Sequence, residues 1–166
     1  RGDANLSIGN VDLTSGTFDI YVTNGVDIGG WQFELFGIEI VDAFGGVSES
    51  VGFIVSNNIR KVLGFSTSGA VISSGADQLL TTVSFNISLG TPEQICFGTD
   101  STNNVISDAV GGEVSSTFGD CYCIAGTDCA GVCGGSAEED SDGVCGGDGS
   151  TSYTDCANDK FHVYVL

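Results

Sequence analysis

The residues whose types and spacing could do chemistry crowd into the stretch 128–159, DCAGVCGGSAEEDSDGVCGGDGSTSYTDCAND. Acids dominate it, and no base follows until Lys160. Asp128, Asp140, Asp142, Asp148, Asp155 and Asp159 are the candidate metal ligands. Acids at alternate positions 140 and 142, a glycine at 143 and a further acid at 148 offer carboxylates and a turn that brings carbonyls inward, the oxygen-rich donor set of a hard cation. The ion expected is Ca2+. The same stretch carries Cys129, Cys133, Cys145 and Cys156, which with Cys96, Cys121 and Cys123 make seven. Spacing alone does not assign their pairing, and an odd count leaves one thiol without a partner in the chain. Zinc is a poor alternative, since the cysteine spacings are irregular and His162 is the only histidine.

The stretch is internally repetitive: DCAGVCGG at 128–135 and SDGVCGGDG at 141–149 share the core Gly-Val-Cys-Gly-Gly. Such a composition cannot bury an apolar core, so order must come from disulfides and ions. The tail resembles the aspartate- and cysteine-rich repeats of the thrombospondin type 3 class, and this resemblance implies a calcium- and disulfide-held segment. It departs from the EF-hand pattern, because no acid occupies the bidentate last position of a twelve-residue loop.

Elements must position these groups, and the rest of the chain supplies them. In 166 residues there are 26 glycines, one proline and no methionine, with short runs rich in Val, Ile, Phe and Thr. That pattern predicts an all-β domain. Strands are expected at Asn5–Val11, Thr17–Thr23, Trp31–Ile40, Gly52–Ser56, Lys61–Ser66, Leu79–Ser88, Glu93–Thr99 and Val105–Val114, the last broken near Gly111-Gly112. In Thr17–Thr23 the residues Phe18, Ile20 and Val22 alternate with Asp19, Tyr21 and Thr23. Along Trp31–Ile40 the apolar phase slips after Leu35, which requires a bulge or a bend, and Gly37 is placed to allow it. Trp31, the only tryptophan, reads as a core aromatic; a sugar-stacking role for Trp31 or Tyr21 is the alternative.

These strands resemble bacterial cohesin modules. The carrying stretches are Leu6-Ser-Ile-Gly-Asn-Val11, Gly29-Gly-Trp-Gln-Phe-Glu-Leu35, Gly52-Phe-Ile-Val-Ser-Asn57, Arg60-Lys-Val-Leu-Gly-Phe65, Leu80-Thr-Thr-Val-Ser-Phe85 and Ile106-Ser-Asp-Ala-Val-Gly-Gly-Glu-Val114. The resemblance implies a jelly-roll β-sandwich of about nine strands and a dockerin or other surface protein as partner. At Phe36-Gly-Ile-Glu39 the chain departs from the turn usual in that family. Three segments are expected: a cohesin-like sandwich over 1–120, a Cys/Asp/Gly-rich calcium-binding tail over 121–160, and a terminal strand over 161–166.

That terminal strand, FHVYVL, sets Phe161, Val163 and Val165 on one face. Unpaired, it is an aggregation hazard; it reads as a donor strand for a second copy, giving a head-to-tail homopolymer. A formal charge of −18, from 22 acids and 4 bases, excludes nucleic acid as a partner. Seven cysteines point to an extracellular or cell-surface location, and the absence of an initiating methionine reads as a processed start. No run is apolar enough to span a membrane. No phosphate loop, nucleophile motif or distinguished carboxylate pair is present, so no catalytic residue is assigned. The expected function is a non-enzymatic extracellular structural protein that self-assembles into a calcium-stabilised filament or surface layer. The alternatives are a protein-binding module of cohesin type and, behind it, a carbohydrate-binding module.

Overall fold

The structure is a computed structural model and describes residues 3–147. The described chain forms two compact units, divided between Tyr122 and Cys123.

The first unit is a sandwich of two sheets. One is built from β1 (Ala4–Asp12), β2 (Thr17–Asn24), β4 (Ile40–Phe44), β7 (Gly75–Phe85) and β10 (Ser116–Phe118), in the spatial order β10-β1-β2-β7-β4. The other contains β3 (Ile28–Phe36), β5 (Ile54–Asn57), β6 (Lys61–Phe65) and β8 (Gln94–Phe97), in the order β8-β3-β6-β5. A further strand, β9 (Val105–Asp108), pairs with the first half of β3, while β8 pairs with its last two residues. All pairings are antiparallel except β1 with β10. A short β11 (Tyr122–Cys123) leads into the second unit.

Alternation in the strands produces the core. Phe18, Ile20 and Val22 are fully buried in β2, and Trp31, Phe33 and Leu35 supply the facing layer from β3. Trp31 stacks on Phe33 with ring centroids 5.3 Å apart, Phe33 meets the edge of Phe97 at 5.7 Å, and Phe97 meets Phe118 at 5.5 Å. Each such pair adds about 0.5–1.5 kcal/mol beyond the area it buries.

The structure decides between the bulge and the bend expected at Gly37, and it is a bend that ends the strand at Phe36. The chain turns at Gly37, whose φ is 93°, and crosses from the second sheet to the first as β4. An added Cβ at Gly37 would overlap the Gln94 carbonyl. The slipped apolar phase is real, but Ile38 and Ile40 are buried by crossing between layers, not by a bulge within one. The break expected near Gly111-Gly112 is present, and β9 ends before it at Asp108. Asp108 Oδ1 accepts the amides of Val110 at 3.0 Å and Gly112 at 2.7 Å, reversing the chain so that the Val114 amide returns to the Ile106 carbonyl at 2.8 Å. Finally, β7 begins earlier than expected, at Gly75, and stops at Phe85; a 3-10 turn over Ile87–Leu89 follows.

The strands β10 and β11 and one helix lie outside every expected element. The helix, α1 (Gly46–Ser50), buries Ser48 completely, and Ser48 Oγ accepts a hydrogen bond from Trp31 Nε1 at 3.2 Å. That bond is what lets an indole N–H sit in the core without a desolvation penalty. The room for the ring comes from Gly64, the cross-strand neighbour of Trp31, where any Cβ would overlap the indole.

Candidate functional site

Two regions are candidates: the repeats of the second unit, which hold residues singled out from sequence, and the outer face of the β8-β3-β6-β5 sheet, whose exposed residues sequence reasoning did not single out.

In the second unit the sequence repeat is a structural one. The turn begun by Asp128 recurs at Asp140 in closely similar geometry. The Asp128 amide donates to the Val132 carbonyl and the Asp140 amide to the Val144 carbonyl, each at 3.0 Å. Gly131 and Gly143 donate back to the carbonyls of Asp128 and Asp140 with φ of 79° and 80°, a left-handed conformation that glycine adopts at little cost. Each turn is closed by an isolated bridge, Thr127 with Cys133 and Glu139 with Cys145.

Inside each turn the leading carboxylate caps backbone amides. Asp128 Oδ1 accepts from Ala130 at 3.0 Å and Val132 at 2.8 Å, and its Oδ2 accepts from Ala137 at 3.2 Å. Asp140 Oδ1 accepts from Asp142 and Val144, both at 2.9 Å. The amide of Val132 above all holds the Asp128 carboxyl below its ordinary 3.8, with Ala137 and Ala130 adding to it against a smaller opposing effect of burial. Gly135 and Gly147 complete the shell, since a Cβ at either would overlap the Oδ2 it faces.

This bears directly on calcium. A Ca2+ site needs six to eight converging oxygens. The groups that converge on Asp128 Oδ1 and Oδ2 and on Asp140 Oδ1 are backbone N–H donors. Among the described residues no three acids, cysteines or histidines gather in a metal-sized cluster. Asp142 is exposed. Asp148, Asp155 and Asp159, with Cys156 and the strand residues Phe161, Val163 and Val165, lie outside the described residues.

Disulfides tie the turns in series. Cys123 bonds Cys133 and Cys129 bonds Cys145, with sequence separations of 10 and 16. Cys96 on β8 bonds Cys121, staple of the sandwich itself. The two closures in the second unit each contribute on the order of 3 kcal/mol in the chain-entropy model.

The second region is the solvent side of the β8-β3-β6-β5 sheet. Ile54 on β5 and Phe65 on β6 are register partners, 47% and 40% exposed. Beside them Gly30, Gln32, Leu63, Val105 and Ser107 line an open groove of about 440 Å³. Phe36, 44% exposed, lies at the far end of β3 under the Arg60 guanidinium, 5.3 Å from its ring centroid. Arg60 and Lys61 are adjacent here, and they are the only bases among the described residues. The opposite sheet has a more polar outer side. There Tyr21 accepts a hydrogen bond from Asn10 at 2.6 Å, and its ring packs against Gly9. Burial and then the Asp19 charge push the Tyr21 hydroxyl upward. With Trp31 buried, neither aromatic named from sequence offers a bare platform to a sugar.

No family model and no curated protein matches the chain. Among solved structures, the solution structure of CaCohA2 from Clostridium acetobutylicum aligns with a TM-score of 0.51 at 16% identity, covering 72% of this chain and 88% of that one. The fold is cohesin-like. A complex of a CaDoc0917 variant with CaCohA2 also aligns, with a TM-score of 0.48 and 15% identity over 73% of this chain and 99% of that one. The cohesin-like likeness rests on the order and pairing of strands, since so little of the sequence is shared.

Proposed function

We propose that this chain is a non-enzymatic extracellular protein-binding module that receives its partner on the outer face of the β8-β3-β6-β5 sheet. The observation that carries the reading is the exposed pair Ile54 and Phe65, set directly opposite each other on neighbouring strands beside an open groove. Two large apolar side chains held side by side on paired strands and left exposed are the form a binding hot spot takes. Three disulfides among the described residues support an oxidising compartment. The cohesin-like fold makes a dockerin-bearing protein the first partner to test. Arg60 and Lys61 favour an acidic partner surface.

The test is capture from the secretome of the source organism on immobilised protein, beside the Phe65→Asp variant. A partner retained by the wild-type chain and lost by the folded variant supports the reading. Equal retention by both removes the face from consideration.

A second reading is assembly of copies head to tail. The observation favouring it is that β5 stands last in its sheet, so its outer edge is where an extended segment would add. The donor in this reading is the segment 161–166 of the next copy, and Ca2+ acts as counter-ion between copies that each carry −18. Negative-stain microscopy with and without calcium, on the full chain and on a chain lacking 161–166, tests it. Filaments formed equally well by the truncated chain would eliminate the donor strand.

A further inference from the structure

Near the end of β3 an amine, an amide and a carboxylate stand in contact in that order. Lys61 on β6 and Glu34 on β3 are cross-strand register partners. In a chain with 22 acids and 4 bases, a lysine so placed is expected to pair with the acid. Instead the side chain of Asn103 stands between them. Lys61 Nζ donates to Asn103 Oδ1, and Asn103 Nδ2 donates to Glu34 Oε2 at 3.1 Å.

The loop between β8 and β9 is held so that Asn103 reaches this position. The Asn103 amide donates to the Asp100 carbonyl at 3.0 Å, and the Asn103 carbonyl accepts from Gln32 Nε2 at 3.2 Å. The neighbouring Asn104 is buried and accepts the Glu34 amide on its Oδ1 at 3.0 Å. Gly98 donates to the Glu34 carbonyl at 2.8 Å, and a Cβ there would come within 3.0 Å of Glu34 Oε2. Asp100 Oδ2 makes a longer contact, 3.5 Å, with Asn103 Nδ2. Lys61, Glu34 and Asn103 are all half-buried, so the three groups are partly shielded from competing water.

We infer that Lys61 and Asn103 form an intramolecular amide cross-link, with Glu34 as the proton-transferring catalytic residue. The atom Lys61 touches is one carbonyl bond, about 1.2 Å, from the carbon to be attacked, and fixing two reactants at contact removes most of the entropic barrier to their reaction. The Lys61 ammonium gives up a proton, which Glu34 takes. The freed amine attacks Asn103 Cγ, forming the new C–N bond. Glu34 returns the proton to Nδ2, already its hydrogen-bond donor, the Cγ–Nδ2 bond breaks, and the departing ammonia takes the second proton of the attacking nitrogen and leaves as ammonium. One ammonium is consumed and one is released, so atoms and charge balance without any oxidant or co-reactant. The product ties β6 to the loop before β9 across β3, closing a sequence separation of 42.

The experiment is the intact mass of the full chain after complete reduction and alkylation. The cross-link makes it lighter than the sequence requires by one ammonia, and a glutamate-specific digest yields a branched peptide joining residues 61 and 103, from the segments 50–93 and 94–113. Lys61→Arg and Asn103→Ala restore the uncross-linked mass. Glu34→Gln, checked for a wild-type circular dichroism spectrum, slows the loss of ammonia at least about a hundredfold, as loss of a general acid-base group does. Because the wild-type mass needs no variant to fold, it decides alone: a chain at full sequence mass after prolonged incubation overturns the inference. Ammonia lost from Glu34→Gln at the wild-type rate overturns the role given to Glu34.

Discussion

Gly64→Ala reaches the interior of the proposed docking sheet through a single methyl group. The new Cβ would overlap Cε2 and Cζ2 of Trp31 and stand 2.6 Å from its Nε1. The ring cannot retreat freely, because Phe33 stacks on it at 5.3 Å and Ser48 holds its N–H. Overpacking of this kind costs about 1–3 kcal/mol. Displacing the indole from Ser48 leaves a buried donor unmatched, at about 1–3 kcal/mol. The combined loss expected is roughly 2–6 kcal/mol, a large part of the ~5–15 kcal/mol that holds a domain together. For a unit of this size that lowers Tm by roughly 8–24 °C, at about 4 °C per kcal/mol. Trp31 is the only tryptophan, so its fluorescence during urea unfolding reports the site itself. Trp31→Phe in the Gly64→Ala background is expected to recover part of the loss, in a double-mutant cycle with coupling above about 0.5 kcal/mol. A Gly64→Ala midpoint indistinguishable from wild type, with unchanged slope, would refute the packing argument.

Other outcomes follow from the second unit and the exposed face. Thiol reduction is expected to abolish amide-exchange protection at Val132 and Val144, while chelation leaves it intact; the reverse would place an ion in the Asp128 and Asp140 turns. Because the folded Asp128 carboxyl sits below 3.8, its contribution is complete above that value and is lost as pH falls through the depressed one. Exchange at Val132 and Ala137 should therefore stay slow at pH 5 and accelerate only in stronger acid. Ile54→Asp and Phe65→Asp are each expected to weaken partner binding by about 2 kcal/mol or more, the scale of a hot spot, with no loss of fold; isothermal titration against the captured partner reads this directly.

Much of the sandwich was legible because strand alternation is local. Phe18, Ile20 and Val22 declare a buried face within seven residues, and the structure buries all three completely. The crossing at Gly37 was not legible in kind, since a slipped phase is the same pattern whether the chain bulges within a sheet or leaves it. The helix Gly46–Ser50 was invisible because five residues hold too little periodicity to signal. Asp128 and Asp140 show the limit most clearly. A carboxylate before a glycine-rich turn has the same composition whether it faces a cation or its own backbone amides.

The sequence by itself determined the all-β class, the repeat of the tail, the charge, the cysteine-rich chemistry and the core role of Trp31, because each is a matter of composition or of neighbours along the chain. Only the tertiary structure decided which cysteines bond, which oxygens are already occupied, and that Glu34, Lys61 and Asn103 meet. Those three lie on β3, on β6 and in the loop before β9. No local pattern relates residues that only the pairing of strands brings into contact.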